Sequence, residues 1–194
     1  MITLLLDSSN KNLSVGIAKD KVLLASKEYD AWQQQSELMV PEIDALIRAQ
    51  NLTPQNVNNI VVAIGPGSYT GVRIAVTIAK IMAFLLGAKL YTVSSLAVLA
   101  HETKPTICLA NARSNRSYFA VYQNGVALEA DTILSNEQVK NYINKHHEFA
   151  VTGDLEYLGL QGDEFNRFNN MLTFANEKYE AVDLLPVKPV YLKD

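Results

Sequence analysis

Two stretches of the chain lie over one another without a gap: LLLDSSNKNLSVGIAKDKVLLA (4–25) and, 104 positions later, CLANARSNRSYFAVYQNGVALE (108–129). Few letters agree, but order and lengths do. In each copy a short apolar run ends at a polar residue, Asp7 or Asn111, in a turn-rich stretch. Two further β-type runs follow, joined by Lys19-Asp20-Lys21 in one copy and Gln123-Asn124-Gly125 in the other. Short runs with such tight links predict a three-stranded antiparallel meander. Each copy then offers a helix and another strand: 36–50 and IVVAI (60–64), then 136–146 behind Ser135 and FAVTGD (149–154). A repeat of about 100 residues predicts two related α/β subdomains. Their boundary is placed near Glu102–Pro105, giving lobes of 1–103 and 104–194.

The first lobe continues further. IVVAI feeds the turn GPGSYTG (65–71), then a long apolar helix to about Leu86 that Gly87 stops. LYTV (90–93) is a further strand, and Ser94 or Ser95 caps a short helix. Ser36 is the expected N-cap of the 36–50 helix, with Pro41 a possible bend inside it. The second copy is more eroded. Its last forty residues are polar with poor helix signals, and end in the extended tail LLPVKPVYLKD.

Composition excludes several classes. With 194 residues, 48% hydrophobic and 19% charged, the chain reads as an ordinary globular protein rather than a disordered or fibrous one. Its formal net charge of −3 lacks the positive field of a protein that grips phosphate backbones alone. Arg113 and Arg116 make only a small basic point, read as solvated charge or as a shared contact to RNA phosphate. The single cysteine, Cys108, lies in the apolar run ICLA and reads as a buried small hydrophobe. MITLLLDSSN has no basic segment before its apolar run, and no uninterrupted apolar run reaches membrane-spanning length. A cytoplasmic protein with no membrane partner is the expectation.

Two places could carry chemistry. GPGSYTGVR (65–73) follows a strand and opens a helix, so its amides could face an anion. It lacks the lysine of a Walker A loop, and Gly65, Gly67 and Gly71 read GxGxxxG rather than GxGxxG. It stands equally as a tight turn capped by Ser68 or Thr70. Asp7, ending the first strand beside Ser8-Ser9-Asn10, could hold a metal–nucleotide or bond its neighbours' amides as a turn residue. Its counterpart in the repeat, Asn111, is a poorer hard-cation ligand. Asp7, Gly65, Gly67, Ser68 and Gly71 are therefore the cofactor-binding candidates. His101, His146 and His147 show no metal-ligand spacing, and Ser68 lacks the GxSxG frame of a nucleophile.

The helix after the glycine turn is more telling. In GVRIAVTIAKIMAFLLG the polar side chains are Arg73, Thr77 and Lys80, one thin stripe at i, i+4 and i+7. A helix covering one sheet face needs about 100° of apolar surface. This one exceeds that, and the 36–50 helix is also apolar-rich. The pair could pack against a like pair from another chain. Leu38, Met39, Ile43, Leu46, Ile74, Ile78, Ala79, Met82 and Phe84 are the candidate interface. The second lobe or an internal helix is the competing cover.

LLLDSSN, QSELMVPEIDALI, GPGSYTGVRIAVTIAK, VSSLAVLA, NARSNRSYFAVY and PVYLKD, in that order, resemble the bacterial family called TsaB or YeaZ. The resemblance covers most of residues 1–122 and the tail, and GPGSYTGVRI is its most specific piece. It implies a two-lobed actin/Hsp70-type (ASKHA, ribonuclease H-like) α/β fold built by duplication, with a reduced second lobe. It also implies a noncatalytic subunit of the machinery that makes threonylcarbamoyladenosine in tRNA. Such a subunit pairs with the catalytic transferase TsaD, is joined by the ATPase TsaE, forms a homodimer when alone and meets tRNA through the complex. It has no catalytic or metal-binding residues of its own, and ATP or ADP would sit at the junction with the partner. Gln35, where the family often has histidine, Asn111, where it usually has aspartate, and the shortened second lobe are departures. The rival function is an ATP-dependent enzyme using Asp7 and the glycine turn.

Overall fold

The computed structural model describes residues 1–177 and 182–192. The first sheet has the order β3-β2-β1-β4-β5, formed by β1 (Ile2–Asp7), β2 (Asn12–Lys19), β3 (Val22–Asp30), β4 (Val57–Ala63) and β5 (Lys89–Val93). β1 to β3 are antiparallel, and β4 and β5 join parallel through two helices, α1 (Gln35–Ala49) and α2 (Tyr69–Leu86). The second sheet, β8-β7-β6-β9, repeats this with β6 (Thr106–Arg113), β7 (Arg116–Gln123), β8 (Val126–Ser135) and β9 (Ala150–Gly153), crossed over by α3 (Asn136–Lys145). Among the described residues it has no counterpart of β5. Two ribonuclease H-like units, the second reduced, make the expected actin/Hsp70-type fold.

The alignment of the two copies slips by one residue in one strand. Leu4 faces Ile17 in the first hairpin, but Ile107 rather than Cys108 faces Val121 in the second. A bulge between Asn111 and Arg113 takes up the extra residue. Side chains alternate across a sheet, so the slip exchanges faces. Cys108 lies between the lobes, as Leu5 does, while Ile107 and Leu109 turn to the outer core, as Leu4 and Leu6 do. The spatial counterpart of Asp7 is thus Ala110, not Asn111.

Every residue of β1 is buried because both faces of the first sheet are covered. On the outer face, Leu4, Leu6, Val15, Ile17, Ile60 and Val62 meet Met39, Ile43 and Ile47 of α1 and Val72, Ala75 and Ala79 of α2. The inner face packs on the 96–100 segment and on Phe168, Met171 and Leu172 of a fourth helix, α4 (Arg167–Glu177). Polar sequence hid α4, whose Phe168, Met171 and Leu172 point inward between the sheets. The chain after Arg167 therefore returns to the first lobe. By length and composition α2 is apolar enough to span a membrane. It instead lays its small residues, Gly71, Ala75, Ala79 and Ala83, into this core.

Helix ends differ in detail from the sequence reading. α1 starts at Gln35, not after Ser36, and Gln34 caps it without a side-chain bond. Gln35 is buried and donates from Nε2 to the carbonyls of Asn10 and Asn12, so it anchors the loop after β1. Ser68 caps α2 by accepting from the Gly71 amide, and Gly87 ends it at φ +63°. Ser135 caps α3 in a reciprocal box with Gln138. The short helix after Ser94 shrinks to one turn, Ala97–Leu99.

Candidate functional site

A cleft of about 870 Å³ lies between the lobes. Ser9 to Asn12, the turn Pro66–Thr70 and Trp32 line one wall; Leu109 to Arg113 and Gly153 to Glu156 line the other. Its floor is an ion cluster. Arg167, 4% exposed, pairs with Asp7, 2% exposed, and its Nε donates to both Glu28 oxygens at 3.3 Å. Asp7 also accepts the Ser9 amide at 2.8 Å. Burial works against the guanidinium's charge, but the two carboxylates more than offset it and hold its pKa above the ordinary value.

This geometry does not fit a metal–nucleotide on Asp7. A bare carboxylate at the end of β1 could ligate a divalent ion, but the guanidinium already lies against it. A second positive charge there would meet repulsion rather than attraction. Among the described residues no group of three acidic, histidine or cysteine side chains could hold a metal ion. Asp154, at the end of β9, faces the same cleft, where desolvation raises its carboxyl and Lys11 pulls the other way.

The glycines let two backbones approach closely. A Cβ on Gly67 would lie 2.2 Å from the Ser9 carbonyl oxygen, and one on Gly71 would lie 1.9 Å from that of Ser8. The Ser68 amide donates to Ser9 O at 2.6 Å, and Ser8 Oγ donates to Gly71 O at 2.8 Å. Small residues here let the loop after β1 seat on the first turn of α2. The Ser68 and Gly71 amides are taken up within this joint. The candidates Asp7, Gly65, Gly67, Ser68 and Gly71 are brought together, as a structural joint.

The helix pair divides differently from its sequence pattern. Met39, Ile43, Leu46 and Ala79, named as interface, are at most 5% exposed and belong to the chain's own core. α2 is apolar nearly all round, so periodicity could not place Ala79; on α1 the i, i+4, i+7 spacing of Met39, Ile43 and Leu46 is that of a core stripe. Leu38, Ile74, Ile78 and Met82 are half-buried at the edge of that core, and Phe84 is 77% exposed. Val40 of α1 and Ile81 and Leu85 of α2 also point outward; the sequence reading missed them. What remains outside is an apolar face on α2, with Val40 exposed on α1. The signs of charge divide as well: α1 carries Glu37, Glu42 and Asp44 against Arg48, and α2 carries Arg73 and Lys80 with no acid.

Cys108 is fully buried and its thiol is pushed far up by desolvation, so it is no nucleophile. The His101 ring accepts the amides of Thr103 and Lys104, closing a loop.

Known proteins share this architecture. A YeaZ structure from Pseudomonas aeruginosa superposes with a TM-score of 0.85 at 24% identity, covering 98% of this chain and 99% of that one. The TsaB protein of Bacillus subtilis, described as a tRNA threonylcarbamoyladenosine biosynthesis protein, is 29% identical over 216 aligned positions, spanning 100% of this chain and 94% of its own. TsaB of Buchnera aphidicola is 26% identical over 95% of this chain and 91% of its own. The family model for TsaD, tRNA N6-adenosine threonylcarbamoyltransferase, matches residues 29–156. The chain belongs to the TsaD family, among its TsaB (YeaZ) members. The TsaD match spans α1, the glycine turn, α2 and the whole second sheet, and leaves out Asp7, Glu28 and Arg167. The sequence resemblance to TsaB used segments inside this match, from QSELMVPEIDALI to NARSNRSYFAVY, and two outside it, LLLDSSN and PVYLKD.

Proposed function

We propose that this chain is a noncatalytic scaffold subunit in tRNA threonylcarbamoyladenosine synthesis, and that it activates a TsaD-type transferase by pairing through α1 and α2. The observation that carries this reading is the outward apolar face of Ile81, Phe84 and Leu85 toward the end of α2 away from the cleft, together with an Asp7 carboxylate that Arg167 already pairs. A protein kept as a free-standing ATPase would need Asp7 unpaired. A protein kept for docking needs the exposed face and not the cleft.

The partner's chemistry follows from the family. A transferase built on the same lobe presents its own equivalent helix pair. Two such pairs meeting about a two-fold or pseudo-two-fold axis lay the net-acidic α1 of one chain against the net-basic α2 of the other. The same symmetry lets two copies of this chain pair when no transferase is present. In this reading adenine nucleotide belongs to the junction with the transferase and to a TsaE-type ATPase. The tRNA is met through the cytoplasmic complex.

Light-scattering mass after gel filtration tests the reading, on the chain alone and with the TsaD-type subunit of its own organism. A dimer that converts to a 1:1 complex, together with tRNA modification that requires both chains, is the expected result. A chain that stays monomeric beside the transferase, or that hydrolyses Mg-ATP unaided, defeats it.

A further inference from the structure

The polar stripe on α2 and the first glycine of the GPG turn have a common purpose that the helix pair alone does not explain. Both hold the C-terminal segment 182–192. This strap starts at the edge of the first sheet, where the Val182 amide donates to Leu90 O at 2.9 Å. It then runs along α2, where Lys80 Nζ donates to the carbonyls of Leu185 and Val187 at 3.3 and 3.0 Å. It ends at the glycine turn: Val190 N donates to Ile64 O at 2.7 Å, and a Cβ on Gly65, at φ +105°, would lie 2.6 Å from Val190 O. Tyr191 stacks on Tyr69 at 4.9 Å, and the Arg73 guanidinium lies over that same Tyr69 ring.

The strap turns Val182, Leu184 and Val187 into the first core but leaves Leu185 out. At 90% exposed, Leu185 is the most exposed large apolar side chain among the described residues; Phe84 and Leu85, at 77% and 72%, come next. They share one side of the molecule. Lys80, which holds the Leu185 carbonyl, lies one helical turn before Phe84 on the same stripe. Pro186 restricts Leu185 to extended conformations, so the side chain is presented rather than left to fold back.

We propose that the strap is part of the docking surface, with Leu185 joining Phe84, Leu85 and Ile81 in one apolar patch that receives the helix pair of the TsaD-type partner. This rests on the reading above. Charge argues for that occupant. Lys80 is turned to the strap one turn before Phe84, so the patch has a positive edge, and the first helix of this family's lobe, net acidic in α1 through Glu37, Glu42 and Asp44, is its complement.

The test uses the full chain with its organism's TsaD-type subunit, in titrations followed by sedimentation. Leu185→Asp places a charge on a side chain that makes no core contact, so its melting temperature should equal that of the unaltered chain. Its affinity should fall at least tenfold. Lys80→Ala should weaken pairing less, and should speed amide exchange at Val190 by releasing the strap. Full affinity for Leu185→Asp with loss in Phe84→Asp overturns the strap's part and leaves the helix face standing. Full affinity in both removes the helix face as well.

Discussion

The guanidinium of Arg167, at the start of α4, is buried against the carboxylate of Asp7, at the end of β1, across 160 positions of sequence. This pair closes the floor of the cleft and ties the returning chain to the first sheet. Removing one partner of a buried pair strands the other charge, at a cost of about 3–5 kcal/mol. Arg167→Ala should therefore lower stability by that much, or about 6–20 °C in Tm for a chain of this size. Glu28, less buried, loses the same partner. Urea unfolding measures it; a change under about 1 kcal/mol would mean that Asp7 is solvated and open to a ligand after all.

Gly71→Ala tests whether the glycine turn is a joint or a cradle. The added methyl would lie 1.9 Å from the backbone oxygen of Ser8, which cannot move without lifting the loop that carries Asp7. A loss above about 3 kcal/mol, or failure to fold, is expected. Near-normal stability would show that the space is open.

Ala79 and Phe84 lie on one helix and should respond oppositely to the same change. Ala79 is fully buried against the first sheet, so Ala79→Asp buries a carboxylate without a partner and should unfold the chain. Phe84→Asp should leave circular dichroism and Tm unchanged and abolish pairing. A folded, unpaired Ala79→Asp protein would move the interface to the face assigned here to the core.

That contrast marks what the sequence could and could not display. The repeat was legible because hairpins are local: Lys19-Asp20-Lys21 and Gln123-Asn124-Gly125 set strand lengths by themselves. The bulge after Asn111 was not, since a one-residue slip leaves no mark on apolar content, and it moved the counterpart of Asp7 to Ala110. The thin stripe Arg73, Thr77, Lys80 was visible as a pattern. Its use was not, because Leu185 lies 105 positions from Lys80. Arg167 sat in a polar stretch with nothing local to single it out, although its guanidinium, only 4% exposed, is the group that decides how Asp7 is read. The end of the PVYLKD motif, Lys193 and Asp194, lies outside the described residues, as do 178–181.

The last prediction concerns the seam between the lobes. Asp131 on β8 accepts the hydroxyls of Ser94, from the first lobe, at 2.5 Å and of Tyr122 at 2.8 Å. Burial raises its carboxyl above the ordinary 3.8 despite both bonds. The folded chain therefore holds a proton there that the unfolded chain has released, in the window between 3.8 and the raised value. Where the folded state binds more protons, stability falls as pH rises. The protonated seam contributes fully below the unfolded value, and its contribution is lost as pH climbs through the folded one. Asparagine does not titrate, so Asp131→Asn removes this slope. Measured by urea unfolding at pH 4 and pH 7, the unaltered chain should gain on the Asn variant at the lower pH. A difference that is constant with pH would show that the two hydroxyls cancel burial, and one that grows in the opposite direction that they outweigh it and hold the carboxylate ionised at the seam.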